Sequence, residues 1–264
     1  MKEKRTIYYE SEKDDFFKLD ENNELPKIDE NYDYDLREKK RIKSFIAYRI
    51  LATPAAYLYT KLKFRERIID RSAIKAYRGV GIFIVGNHTQ PIADAFTPNI
   101  IAFPRKNSIV ITKDNFALPV LGRALPYLGG IPLPETPRAA RAFTGTVETR
   151  IKRGEAVTIY PEAHVWEYYT GIRELDPSAF DLPVRFGAPV FSATRVYRRS
   201  AIGVRCKIYL DGPFIPDQSL PKKEARERLS LAISEIMKER AKESDVEVVR
   251  YIRRSESNER RSEE

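Results

Sequence analysis

The chain contains two histidines, and each follows a short apolar run with a carboxylate close by. In GNHTQPIADAF, residues 86–96, His88 precedes Asp94; in YPEAHVWEYYTGIR, residues 160–173, Glu162 precedes His164. A neutral imidazole can take a proton from a hydroxyl, and a carboxylate on its other ring nitrogen fixes the tautomer and stabilises the imidazolium as it forms. Such a pair suits acyl transfer. The chain offers no good nucleophile of its own, because it has no Gly-x-Ser-x-Gly elbow and its single cysteine, Cys206, lies inside an apolar run. The hydroxyl is therefore expected to belong to the substrate. One cysteine and two histidines also leave too few soft ligands for a zinc site, so no metal is expected.

These residues need strands to carry them. GIFIVGN (81–87) and SIVIT (108–112) are short runs rich in β-branched residues, as are AVTIY (156–160), PVFSATRVY (189–197) and GVRCKIYL (203–210). Thr136 followed by Pro137 opens a helix whose apolar face is Ala139, Ala142, Phe143, Thr146, Val147 and Ile151, and Gly154 stops it. A second helix follows Pro221, with Ala225, Leu229, Ala232, Ile233, Ile236 and Met237 at helical spacing. Strands alternating with helices predict an α/β layered domain with a mixed sheet flanked by helices, over about residues 66–250. Ligand-binding loops in such folds gather at the carboxyl ends of strands, where both histidines fall.

Ahead of that domain the composition changes twice. Residues 1–38 hold 7 Lys/Arg against 13 Asp/Glu, so a net charge of +9 divides into an arm of −6 and a remainder of +15. The basic body would attract phosphate-bearing partners. Residues 1–40 lack a sustained period and are expected to form an extended, partly disordered acidic arm. The stretch 41–65, RIKSFIAYRILATPAAYLYTKLKFR, is mostly apolar between Ser44 and Leu62 and flanked by cations, yet Arg49 and Pro54 argue against a simple membrane span. An amphipathic helix or broken helical pair at a membrane interface is the expectation, with a core-packing helix as the alternative. Residues 251–264 are expected to be a flexible charged tail. The densely charged start shows no signal-peptide pattern, and a cytoplasmic setting is expected.

NHTQPIAD (87–94) resembles the Asn-His-x4-Asp block of the glycerolipid acyltransferases, the lysophosphatidic acid acyltransferase-like enzymes, and YPEAH (160–164) resembles their Phe-Pro-Glu-Gly block. LPYLGGIPLPE (125–135) is similar to the glycine-led second block, and APVFSATRVY (188–197) to the apolar fourth block with its proline, Pro189. The resemblance covers roughly residues 70–215, with four weak motifs in the family's order. It implies transfer of a fatty acyl chain from an acyl thioester, acyl-CoA or acyl-ACP, to a hydroxyl of a lysophospholipid or related acceptor. His88 would be the general base with no acyl-enzyme, and Asp94 would orient it. Glu162 would help bind or position the acceptor, and Asn87 would support the loop. Backbone amides near a helix starting at Pro91 would supply oxyanion donors. The donor is a substrate, and no cofactor is implied.

Four departures from the family pattern bear on this. Five residues separate His88 from Asp94 instead of four; a helix beginning at Pro91, capped by Gln90, would absorb the extra one. Glu135 stands where the second block commonly ends in a phosphate-holding arginine, and Ala163, His164 and Val165 replace Gly-Thr-Arg. The second proline of the fourth block is Ser192. A phosphate site would then be rebuilt from Arg138, Arg141 or Arg173, unless these are ordinary surface charges. His164 is a further candidate for substrate contact. Trp166, Tyr168 and Tyr169 would either line a groove or pack.

The expected partners are the acyl thioester, the lysolipid acceptor, a membrane surface and acyl carrier protein. The expected location is peripheral, on the inner face of the cell membrane. Nucleic acid is not expected, since no recognition motif accompanies the positive charge. The alternatives are a catalytically inactive membrane-binding relative and an acyl-thioester hydrolase.

Overall fold

The computed structural model describes residues 5–16, 25–118 and 122–254. The expected arm is thus described only in part, and most of the expected tail lies outside the described residues. The strands are β1 (Arg5–Tyr9), β2 (Arg67–Ile69), β3 (Ile82–Gly86), β4 (Asn107–Ile111), β5 (Gly130–Pro132), β6 (Ala156–Ile159), β7 (Val190–Ser200), β8 (Gly203–Phe214) and β9 (Val249–Arg253). The longer helices are α1 (Thr53–Lys63), α2 (Ala93–Ala102), α3 (Pro137–Lys152) and α4 (Lys222–Ala241).

Seven strands form one mixed sheet in the order β2-β8-β7-β3-β6-β4-β5. All neighbours in it are parallel except β7 and β8, which form an antiparallel hairpin. Both faces are covered, which explains why IFIV in β3 is apolar at every position instead of alternating. Phe83 and Val85, with Val157 and Ile159 of β6, meet Phe143 and Val147 of α3 and Leu229, Ile233 and Met237 of α4. Ile82 and Ile84 point the other way, toward Ile74 and toward Ile101 and Ala102 of α2. The period of two along a strand thus divides one apolar run between two cores. Helix α3 starts as its sequence predicts: the Thr136 hydroxyl accepts from the Ala139 N–H at 3.1 Å, and Pro137 sits in the first turn.

Residues 41–63 are helical throughout, in three pieces: Arg41–Phe45, a π-helical stretch Ile46–Ala52, and α1. Pro54 has no N–H to give, and the bonding ahead of it widens, with the Thr53 N–H donating to Tyr48 O. Its buried positions are Ser44, Tyr48, Ala56 and Thr60, while Ile42, Phe45, Ile46, Ile50, Leu51, Tyr57, Leu58 and Leu62 are exposed. The amphipathic pattern is therefore inverted, with the small and polar stripe inward. Among the described residues no helix is long and apolar enough to cross a membrane.

The described part of the acidic arm packs against the body. β1 pairs in parallel with β9, so that strand structure also continues past the expected boundary at residue 250. Ile28 is fully buried, Tyr34 donates to Pro132 O at 3.1 Å, and Glu38 pairs with Arg150 and, at 2.8 Å, with Arg153. The Glu38 pairs are where the arm's negative charge meets the positive body.

Candidate active site

β3, β6, β4 and β5 run in one direction, so the loops after them open on one edge of the sheet. β3 ends at Gly86, where a Cβ would lie 2.6 Å from the Tyr160 ring; glycine is what lets that ring approach. Asn87 then reaches across to β7, its amide donating to Arg195 O at 3.1 Å and accepting from Arg195 N at 2.8 Å. This side chain ties the loop after β3 to β7.

His88 Nδ1 lies 2.9 Å from Asp94 Oδ2. An ionised carboxylate only accepts, so Nδ1 carries the proton and Nε2 presents its lone pair. The imidazole stacks on Tyr160 at 4.5 Å between ring centres, and its side chain keeps 19% exposure while Asp94 keeps 3%. The Tyr160 hydroxyl, pushed well above its ordinary range by burial and then by Asp94, stays protonated and donates to Asp94 O at 2.5 Å.

The altered spacing leaves the pair intact. Helix α2 begins at Ala93, not at Pro91, and residues 91–92 form a turn. The extra residue is taken up there. Asp94 falls in the first turn of α2, its N–H donating to Gln90 O at 3.1 Å, where the helix dipole favours a negative charge. Its Oδ2 also accepts from the Thr89 and Gln90 N–H groups, both at 2.8 Å. Those two amides are thereby committed to Asp94. Tyr197 fastens the same loop, donating to Thr89 Oγ1 at 2.9 Å and accepting from Gln90 Nε2 at 3.0 Å.

Glu162 joins the second loop to the first. Its carboxylate accepts from the His88 N–H at 2.9 Å, from Arg173 N at 3.0 Å and from Arg173 Nη2 at 3.0 Å. With its side chain fully closed to solvent, it holds the His88 loop from behind. Arg173, a phosphate candidate by sequence, is 1% exposed, bonded also to His164 O and Glu12 O, and lies over the Trp166 ring at 4.8 Å. Its guanidinium is spent on this clasp.

Among the described residues, none of the remaining candidates makes a side-chain hydrogen bond to the pair, although the Trp166 backbone N–H donates to His88 O at 3.0 Å. His164 is partly exposed, with Nδ1 3.3 Å from Asp15 of the arm. Arg138 and Arg141 are exposed on α3; Arg138 stands 3.9 Å from Glu30, and neither shares a hydrogen bond or ion pair with His88 or Asp94. Glu135 pairs with Lys113 at 2.5 Å and accepts the Ile28 N–H at 3.0 Å. Trp166 is fully buried among Tyr9, Phe16, Tyr169 and Tyr251, so it packs. Cys206 is buried, its thiol pushed up to about 11 by burial. Among the described residues no group of three or more His, Cys, Asp or Glu could hold a metal ion.

Sequence reasoning missed Arg195 and Glu66. Arg195 Nη2 stands 3.2 Å from Asp94 Oδ1, and Nη1 stands 2.8 Å from Glu66 Oε2. The available signal was one arginine within the apolar strand SATRVY, a position where an unpaired charge is costly.

Residues 67–195 match the Acyltransferase family model. The crystal structure of the 1-acyl-sn-glycerophosphate (LPA) acyltransferase PlsC from Thermotoga maritima is similar, with a TM-score of 0.53 and 14% identity, covering 77% of this chain and 83% of that one. At that identity the likeness is one of fold. No curated protein matches the sequence.

Proposed function

We propose, from the match of residues 67–195 to the Acyltransferase family model, that this protein is an O-acyltransferase that moves a fatty acyl chain from an acyl thioester, acyl-CoA or acyl-ACP, to a hydroxyl of a lysophospholipid or related acceptor. The observation that carries this reading is the 2.9 Å contact between His88 Nδ1 and a buried Asp94, with the imidazole still reachable from solvent. His88 Nε2 takes the acceptor's hydroxyl proton as its oxygen attacks the thioester carbonyl; the C–S bond breaks, and the thiolate receives the proton from the imidazolium. Asp94 stabilises the imidazolium between these steps. No acyl-enzyme is needed, and the buried Cys206 with its raised thiol is no competitor for the nucleophile.

For the acceptor, the Lys113–Glu135 pair argues against a phosphate monoester held at Glu135, since a carboxylate there repels it. Arg138 and Arg141 are the exposed guanidinium groups that could take a phosphate instead. The inverted helical run 41–63 supports peripheral attachment: a file of exposed apolar residues exceeds what a solvated helix carries, and cations at both ends suit an anionic surface. The cytoplasmic face of the cell membrane is the location this reading gives.

Purified protein incubated with labelled acyl-thioester and a panel of lysolipid and glycerol acceptors, with and without His88→Ala, tests the chemistry. Acyl lipid formed only with His88 present is the expected result; free fatty acid would indicate a hydrolase, and no turnover across the panel would refute the enzyme. Flotation with anionic vesicles, expected to fail on deletion of residues 1–65, tests attachment.

A further inference from the structure

Beneath the His88–Asp94 pair lies a charged cluster buried on all sides. Arg195 of β7, Glu66 just before β2 and Asp94 of α2 are each at most 3% exposed. Arg195 Nη1 bonds Glu66 Oε2 at 2.8 Å; its Nη2 bonds Thr97 Oγ1 at 2.8 Å and lies 3.2 Å from Asp94 Oδ1. The Thr97 hydroxyl donates to the same Glu66 oxygen at 2.9 Å. Burial would push the Arg195 guanidinium down, but Glu66 and Asp94 together hold it well above its ordinary range, so it remains charged.

The formal charges have a consequence for the base. Two carboxylates and one guanidinium leave the cluster at −1 while His88 is neutral, and at zero once His88 takes a proton. If Glu66 were uncharged, Arg195 and Asp94 would cancel, and an imidazolium at His88 would face a neutral pair. The other groups around His88 do not alter this balance. Glu162 behind its N–H is paired with Arg173. Tyr160 against its ring, Tyr197 and Tyr168 on its loop, and Cys206 beside Arg195 all have raised values and stay neutral.

Building on His88 as the base, we infer that Glu66 and Arg195 are positioning residues that set its basicity: Arg195 fixes the Asp94 carboxylate by its outer oxygen, and Glu66 cancels the charge that Arg195 brings. This arrangement separates two jobs one arginine cannot do alone. A guanidinium orients a carboxylate well but also quenches it; a second carboxylate on its far side removes the quenching and keeps the geometry.

The test follows the His88 ring by NMR titration in the full chain, with His164→Gln identifying the other histidine. In Glu66→Gln, which keeps the hydrogen-bonding shape, the His88 midpoint moves to lower pH, by about half a unit or more. In Arg195→Met it moves to higher pH. With acyl-thioester and acceptor, Glu66→Gln lowers kcat several-fold, leaves KM in place, and carries the acid limb of the pH profile in the same direction as the midpoint. A folded Glu66→Gln whose midpoint does not move, or moves up, overturns the inference. Should Arg195→Met fail to fold, the Glu66→Gln titration decides alone. Because the titration needs no substrate, midpoints that shift in a protein without acyl transfer uphold the electrostatic inference and sink the functional reading; unmoved midpoints in an active enzyme do the reverse.

Discussion

His88 and His164 begin as near twins in sequence, each in a loop after a buried parallel strand and each with a carboxylate in reach. Their surroundings make them different. His88 meets a carboxylate from its own segment, one held by two backbone N–H groups and a buried arginine, and its ring lies flat on Tyr160. His164 meets Asp15 of the arm across 3.3 Å, both partly exposed. A base needs a partner that cannot move away or be outcompeted by water; only the first histidine has one.

The largest effect that would break this contrast is in activity. His88→Ala should lower kcat by about 10³-fold or more, and Asp94→Asn by roughly 10²-fold, in acyl-transfer assays. An active His88→Ala would move the chemistry elsewhere. Next comes Arg173→Met, which leaves Glu162 buried without its counter-charge. About 3 kcal/mol of stability should be lost in urea denaturation, and a loss near zero would mean that the clasp behind His88 is not rigid.

Glu38→Gln should cost about 1–2 kcal/mol at pH 7, since Arg150 then loses its arm partner. The sign with pH follows from Glu38, which burial would raise but which Arg150 and Arg153 hold at about 2 instead of the ordinary 4.5. That contribution is fully present above 4.5 and fades as pH falls toward 2. Wild type and variant should therefore converge in acid, and denaturation curves at both pH values check it. Smallest is His164→Ala, with kcat changed by less than about threefold and stability by about 0–1 kcal/mol. A large loss of kcat there would make the two histidines partners after all.

The parts legible in the sequence were those built from contiguous residues. β3 and β6, the capped start of α3, and the reach from His88 to Asp94 all depend on neighbours in the chain. The helix start was misjudged by two residues, because Pro91 suits a turn as well as a first helical position. Glu66 and Arg195 were not legible as a pair, being 129 positions apart, and nothing near either one names the other. Arg173 shows a further limit. An arginine available for phosphate and one buried on a glutamate look alike until Glu162, Trp166 and the arm close around it. The 41–63 run had a visible amphipathic pattern, but periodicity cannot say which stripe faces inward.

β1 and β9 stand at nearly opposite ends of the sequence, with Arg5 beside Val249. During synthesis the first strand therefore leaves the ribosome long before the strand it pairs with exists. The His88–Asp94 pair comes from a single short segment, but the Glu162 and Arg195 contacts that hold it come from segments made later. Assembly has an order: the acidic arm can be strapped down only after β9 has been made, more than two hundred residues behind the strand it pairs with.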